Sequence, residues 1–103
     1  MESPILIDVW TVDSARGDEL VAGISDALRT SFVGHAGFVS AQIYKSTNGT
    51  AVMLFLRTRT VEDRQRLMDS TEARRIYREL RAIASTHVHL YQLVESFGGE
   101  APS

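Results

Sequence analysis

Two groups of side chains in this sequence have types and spacings that could do chemistry. Eight of the ten arginines (Arg57, Arg59, Arg64, Arg66, Arg74, Arg75, Arg78 and Arg81) fall between positions 57 and 81. A guanidinium is permanently charged and forks onto carboxylate or phenolate oxygens, so such a cluster could hold an anionic substrate. It could equally track a phosphate backbone. The second group is His87, His89 and Tyr91, which alternate and therefore project from one face of a strand. Imidazole titrates near neutral pH and a phenol can donate to an oxyanion, so this set suits proton transfer. Trp10 shares a strand face with Asp8 and offers an indole that could wall a planar ring.

Each group has a plainer reading. The 57–81 segment also holds Glu62, Asp63, Asp69, Glu72 and Glu79, so it carries +3 in a chain whose formal net charge is −2. Arg75 and Glu79 are spaced for an i,i+4 pair on a solvated helix face. An acidic chain with a single lysine lacks the electrostatic footprint of a nucleic-acid binder, so no such partner is expected. Arg74, Arg78 and Arg81 share a stripe without an acid, and Arg78 is the one expected to enter a pocket and hold an anionic oxygen. A His-x-His pair holds zinc only with further ligands. His35 and Asp8 are the sole nominees, so no metal site is expected. The strand histidines and Tyr91 otherwise stand at a wet interface, and Trp10 otherwise packs the core. Asn48-Gly49-Thr50 matches a glycosylation acceptor but reads as a turn.

The elements that must position these residues follow from periodicity. Ile5–Val12 is a nearly continuous apolar, β-branched run, the pattern of a strand buried on both faces. Asp13 and Ser14 offer capping oxygens, and Leu20, Val21, Ile24, Ala27, Leu28 and Phe32 form the apolar stripe of a helix that Gly34 and Gly37 end. Phe38–Ser46 and Thr50–Arg59 have strand composition and flank a Ser46-Thr47-Asn48-Gly49 hairpin signal. Helical spacing resumes at Val61 through Leu67 and Met68, then Ala73, Ile76, Tyr77, Leu80, Ile83 and Ala84. A new start is expected at Asp69-Ser70-Thr71 before Glu72. His87–Glu95 alternates as a last strand, and residues 97–103 read as a flexible tail.

The order β-α-β-β-α-β is the split βαβ plan, an α+β ferredoxin-like fold. Right-handed crossovers put both helices on one side of a four-stranded antiparallel sheet. A two-residue turn at Asn48-Gly49 would set Ile43 opposite Leu54, Ala41 opposite Leu56 and Val39 opposite Thr58, all facing the helices. Ser40, Gln42, Tyr44, Met53, Phe55 and Arg57 then share the other face with one side of the first strand. That uncovered apolar surface predicts a homodimer with sheets packed face to face.

With 103 residues, 44% hydrophobic and no cysteine, the chain has the size of one domain and needs no oxidising compartment. No apolar run approaches the roughly 20 residues of a membrane span, and Met1-Glu2-Ser3-Pro4 lacks the basic start of a signal peptide. A cytoplasmic location without membrane contact is the expectation.

The run Gly37-Phe38-Val39-Ser40-Ala41 followed by Ser46-Thr47-Asn48-Gly49-Thr50-Ala51-Val52, on a chain of this order and length, resembles the antibiotic biosynthesis monooxygenase family. The resemblance implies a dimeric α+β barrel. It also implies cofactor-independent oxidation of an aromatic polyketide phenol to a quinone by molecular oxygen, in a pocket between sheet and helices. The family's polar strand positions fall here on Leu54 and Thr58, and its pocket tyrosine on Arg64. Its helix arginine falls on Arg78, which keeps the type. The haem-degrading branch uses a helical histidine, and none lies between Val61 and Ala84.

Three readings follow. In the first, a cofactor-independent monooxygenase, Arg78 holds an anionic oxygen while Trp10, Leu54, Thr58, Arg64 and Tyr77 bind a small aromatic substrate. The second is a non-oxidative cyclase or isomerase with His89 and Tyr91 moving protons. The third is a non-catalytic binding dimer.

Overall fold

The computed structural model describes residues 4–99. The expectations for Met1-Glu2-Ser3 and for the end of the tail, 100–103, lie outside the described residues. Four strands, β1 (Ile5–Val12), β2 (Phe38–Lys45), β3 (Ala51–Thr58) and β4 (Ala84–Tyr91), form one antiparallel sheet in the order β2-β3-β1-β4. The helices α1 (Gly17–Ala27), α2 (Val61–Met68) and α3 (Thr71–Leu80) fill the two crossovers. This is the expected ferredoxin-like α+β arrangement.

The alternation of β1 decides which face is core. Leu6, Asp8, Trp10 and Val12 are buried, whereas Ile5, Ile7 and Val9 are only partly covered. β1 is thus buried on one face, not on both as its near-continuous apolar run implied. Val52, Leu54 and Leu56 of β3 join the buried side and meet Leu20, Ile24, Ala27, Leu67, Ala73, Ile76 and Leu80 from the helices. Burying a side chain of Leu or Ile size stabilises by roughly 1.5–3 kcal/mol, so this face anchors the fold.

Local chemistry sets the ends of the helices. The Asp13 carboxylate accepts from Ala15 N across a short 3-10 turn, Ser14–Arg16, that leads into α1. Thr60 caps α2 by accepting from Asp63 N at 3.0 Å, and Ser70 caps α3 by accepting from Ala73 N at 3.2 Å. The break expected at Asp69-Ser70-Thr71 is therefore real. After Ala27 the first helix widens into a π-type turn, Leu28–Phe32, which brings Phe32 into the core.

Three local expectations are corrected. The hairpin keeps its register, with Ile43 opposite Leu54 and Ala41 opposite Leu56. Its turn, however, closes from Gly49 N to Ser46 O, and only Gly49 has positive φ, whereas a type I′ turn needs two such residues. At the other end of the hairpin Phe38, not Val39, pairs with Thr58, because a bulge between Phe38 and Ser40 turns Val39 outward. Finally, α3 stops at Leu80 and β4 begins at Ala84 rather than His87. Ala84, Ser85 and Thr86 pair with Val12, Thr11 and Trp10, so ladder bonds win over the helical spacing of Ile83 and Ala84. β4 also ends at Tyr91, and residues 92–99 carry no regular structure.

Gly37 matters to the hairpin's start. Its φ of +87° suits only glycine, and a Cβ there would collide with the Asp63 carboxyl. Among the described residues no helix is long and apolar enough to cross a membrane.

Candidate active-site groove

The space between sheet and helices is filled. Trp10, Ile24, Ala27, Leu28, Phe32, Leu54, Ile76, Tyr77 and Leu80 enclose a void of about 10 Å³, room for one small molecule the size of water. Trp10 and Leu54, expected to bind an aromatic ring, are instead core residues, 1% and 2% exposed. Trp10 stacks on the Tyr77 ring at a centroid distance of 5.5 Å, so its face is already occupied. The interior pocket expected for a polycyclic phenol is absent because large side chains from α1, its π-turn and α3 close it.

The concavity that gathers the candidate arginines lies at the edge of the sheet, between β4 and the second helical region. Met68, Ala73, Arg74, Tyr77, Arg78, Arg81 and Val88 line a groove of about 400 Å³. A second depression of about 260 Å³ continues past Met68 and Val88 to Leu6, Arg64, Gln65, Asp69, His89 and Leu90. Ligand sites typically span about 300–1,000 Å³, so the groove is large enough for a small aromatic molecule. The floor is apolar and the rim is cationic.

The groove follows from an asymmetry of the sequence. β4 is an edge strand, and its helix-facing Val88 and Leu90 are left exposed because α2 and α3 stop short of it. The arginines of the α3 stripe lean over that gap. Arg74 reaches Asp69 at 3.6 Å, and Arg75 is spent on Glu79 at 3.2 Å on the solvent side, the i,i+4 pair expected from spacing. No ion pair holds Arg64 or Arg78 among the described residues, and Arg64 is the half-buried one of the run. Arg81 lies over the Tyr77 ring, 5.6 Å from its centroid.

Behind the groove sits a polar cluster inside the core. Asp8 is 0% exposed and is placed by β1 on the helix side, opposite Leu54 on β3 and Val88 on β4. Tyr77 Oη donates to Asp8 Oδ2 at 2.5 Å, and Thr86 Oγ1 donates to Asp8 Oδ1. Burial drives the Asp8 pKa above the ordinary carboxylate range, against the hydrogen bonds from Thr86 and Tyr77 and the charge of Arg81. The Trp10 indole N–H also favours the charged form but makes no hydrogen bond of good geometry, and it remains a buried donor without a partner. Burial, reinforced by Asp8, raises the Tyr77 pKa as well, so this phenol stays protonated.

The remaining nominees lie elsewhere. Thr58 ends β3, donates to Thr60 O at 2.8 Å and borders neither depression. The register puts His87, His89 and Tyr91 opposite Val9, Ile7 and Ile5, on the face away from the helices. His89 and Tyr91 pack edge to face there at 6.2 Å, and His89 meets the groove only at its outer end. They do not join Arg78. Asp8 faces the opposite side of the sheet from His87 and His89, so the nominated zinc ligands never converge. Among the described residues no group of three or more His, Asp or Glu could hold a metal.

Sequence reasoning named Tyr77 and Asp8 for other reasons and missed Thr86. The signal was available: a single acid at the fourth position of Ile-Leu-Ile-Asp-Val-Trp-Thr-Val, in phase with Leu6 and Trp10, must be buried and therefore needs partners.

No family model matches the chain, and a search of curated proteins finds no relative. Solved structures do match. SnoaB, a cofactor-independent oxygenase from Streptomyces nogalater, superposes with a TM-score of 0.81 at 13% identity, over 96% of this chain and 100% of that one. A protein from Nitrosomonas europaea, named a candidate antibiotic biosynthesis monooxygenase, matches at 0.74 and 12%, over 95% and 97%. Rv0793 from Mycobacterium tuberculosis matches at 0.68 and 18%, over 92% and 100%. At such identities the likeness is one of fold, and the fold is that of the antibiotic biosynthesis monooxygenases.

Proposed function

We propose that this chain is a monooxygenase-like enzyme that oxidises an anionic aromatic substrate, of the phenol class found in polyketides, in the groove between β4 and the α2–α3 region. The observation that carries the reading is the pair of arginines without ion-pair partners, Arg64 and Arg78, on the rim of an apolar groove floored by Met68 and Val88. A phenolate is the chemistry such a site recognises, with a flat apolar body for the floor and one oxygen anion for a guanidinium. The shared fold with a cofactor-independent oxygenase supports the same reading.

In this reaction the substrate anion supplies the electrons. For a hydroxyanthrone, the ring methylene loses two hydrogens to dioxygen, one oxygen atom becomes the new quinone carbonyl and the other leaves as water. Arg78 stabilises the phenolate that must form first, and the apolar floor keeps water from that charge. The chain's own residues contribute binding, orientation and proton handling.

Oxygen uptake with a hydroxyanthrone tests the reading. Uptake dependent on the protein without added flavin or metal is expected, and Arg78→Ala is expected to lower kcat/KM by roughly tenfold or more, the loss of one charge-assisted contact. Product formation under strict nitrogen, or an unchanged Arg78→Ala, would sink it. The cyclase reading keeps only a split proton-transfer pair, because His89 meets the groove at its outer end alone and Tyr91 lines neither depression.

A second copy of the chain is proposed to cover the open sheet face. Ile5, Ile7, Val9, Met53 and Phe55 are only partly covered there, and Tyr44 stacks edge to face on Phe55 at 5.4 Å. Sedimentation should show a dimer that Phe55→Glu converts to monomer. A monomeric wild type at tens of micromolar would contradict it.

A further inference from the structure

The Asp8 cluster touches two separate surface depressions. Tyr77 lines the groove. Thr86 lines a different, open cleft of about 770 Å³, together with Thr11, Val12, Asp13, Arg81, Ile83, Ala84 and Ser85. Asp8 is hydrogen-bonded to both hydroxyls and is itself sealed from solvent. Arg81 borders both depressions and marks the ridge between them.

We propose that Tyr77, Asp8 and Thr86 form a proton relay that carries the substrate's phenolic proton from the groove to the cleft. The inference rests on the oxygenase reading, and it assigns to three residues the step by which the phenolate is made.

Hydrogen-bond stoichiometry shows how the cluster can pass a proton. With Asp8 ionised, the cluster holds two hydroxyl hydrogens, and both point inward to the carboxylate. With Asp8 protonated, three hydrogens share the same two internal hydrogen bonds. One hydroxyl hydrogen must then turn outward, from Tyr77 into the groove or from Thr86 into the cleft. A proton arriving at Tyr77 Oη from a phenol displaces the tyrosine's own hydrogen onto Asp8 Oδ2. The Thr86 hydrogen then swings out to the cleft and the protonated carboxyl turns to present its hydrogen to Thr86 Oγ1. As that hydrogen passes to Oγ1, the outward Thr86 hydrogen leaves to water and the carboxylate is restored. No oxygen changes its bond count over the cycle, and one proton has moved.

The surroundings fit a carboxyl that cycles between both forms. The groups acting on it are Thr86 from β4, Tyr77 and Arg81 from the end of α3, and Trp10 from its own strand. Its β3 partner is Leu54 and its β4 partner is Val88, both apolar. Burial opposes the charge while two hydroxyls and Arg81 favour it, so neither form is locked.

Two measurements separate this proposal from the oxygenase reading on which it builds. The first needs no turnover. The infrared band of the protonated Asp8 carboxyl, identified by its loss in Asp8→Asn, is expected to persist above the interval, at about pH 4, in which an ordinary aspartate ionises. On transfer to D2O the band should shift rapidly in the wild type, more slowly when either exit hydroxyl is removed by Tyr77→Phe or Thr86→Val, and slowest when both are removed. A band that titrates as an ordinary aspartate does, or wild-type exchange in the double variant, overturns the relay whether or not the protein oxidises anthrones. The second uses hydroxyanthrone oxidation. Thr86→Val should lower kcat by roughly a hundredfold with KM little changed, within the usual range for lost general acid-base help. Thr86→Ser should restore most of it. A Thr86→Val enzyme with wild-type kcat overturns the relay and leaves the binding role of Arg78 intact.

Discussion

Asp8 and Asp63 are the buried acids among the described residues, 0% and 7% exposed, and the protein treats them in opposite ways. Asp63 stands in the first turn of α2, where its backbone N–H donates to the Thr60 hydroxyl and Arg66 pairs with its carboxyl. The hydrogen bond to Thr60, helped by Arg66 and Arg59, pulls its pKa below the ordinary range. Its charge has a structural task at a helix N-terminus, where the aligned backbone dipoles favour an anion. Asp8 is in mid-strand, far from a helix start, with two neutral hydroxyls and no ion-pair partner. Burial alone therefore does not decide the state of a carboxyl. The number and charge of its donors do, and only the acid left short of compensation is available to exchange protons.

The largest expected consequence is a stability profile with two opposed limbs. For Asp63 the folded pKa is depressed, so the unfolded chain binds more protons in the interval below about pH 4, and stability rises with pH there. Asp18, held low by Lys45, and Glu19, held low by Arg16, add to the same limb. For Asp8 the folded pKa is raised, so the folded chain binds more protons from about pH 4 upward to that raised value, and stability falls with pH across that interval. Urea midpoints measured from pH 3 to 8 should show both limbs. Asp8→Asn should flatten the falling limb and spare the rising one. Asp63→Asn should do the reverse, and only in part, because Asp18 and Glu19 remain. A falling limb that survives in Asp8→Asn would erase the distinction between the two acids.

What could be read from the sequence follows the same division. The strand and helix order, the hairpin register and the helix start at Ser70 come from local periodicity and capping, and the structure keeps them. The misread parts depend on partners distant in the chain. Ala84 looks helical next to Leu80 and Ile83 but is claimed with Ser85 by β1, whose length requires partners for Thr11 and Val12. Val39 is thrown outward by a bulge that no alternation pattern announces. Trp10 reads as a ring-binding wall until Tyr77 is seen to occupy its face. The Asp8 cluster joins positions 8, 77 and 86, and only the tertiary fold reveals that Tyr77 and Thr86 are what an isolated acid on β1 required.

The smallest expected effects come from the arginines beside each acid, and they sharpen the comparison most. Arg66 is a secondary influence on Asp63, since the Thr60 hydroxyl comes first and the Arg66 side chain is 64% exposed. Arg66→Met should let the Asp63 pKa rise slightly, so the rising limb moves to higher pH while keeping most of its height. Arg81 is the weakest of the influences on Asp8 and also favours its charged form. Arg81→Met should therefore raise the Asp8 pKa further and extend the falling limb to higher pH, with its start at about pH 4 unchanged. It should also cost about 0.5–1 kcal/mol at every pH, because the cation–π contact over Tyr77 is lost with the charge. Urea midpoints across the same pH range separate the two contributions, since a lost ring contact displaces the whole curve and a lost charge displaces only a limb. If Arg66→Met cost as much of the rising limb as Asp63→Asn does, the ion pair and not the cap would hold Asp63. The two acids would then differ by the presence of a salt bridge alone.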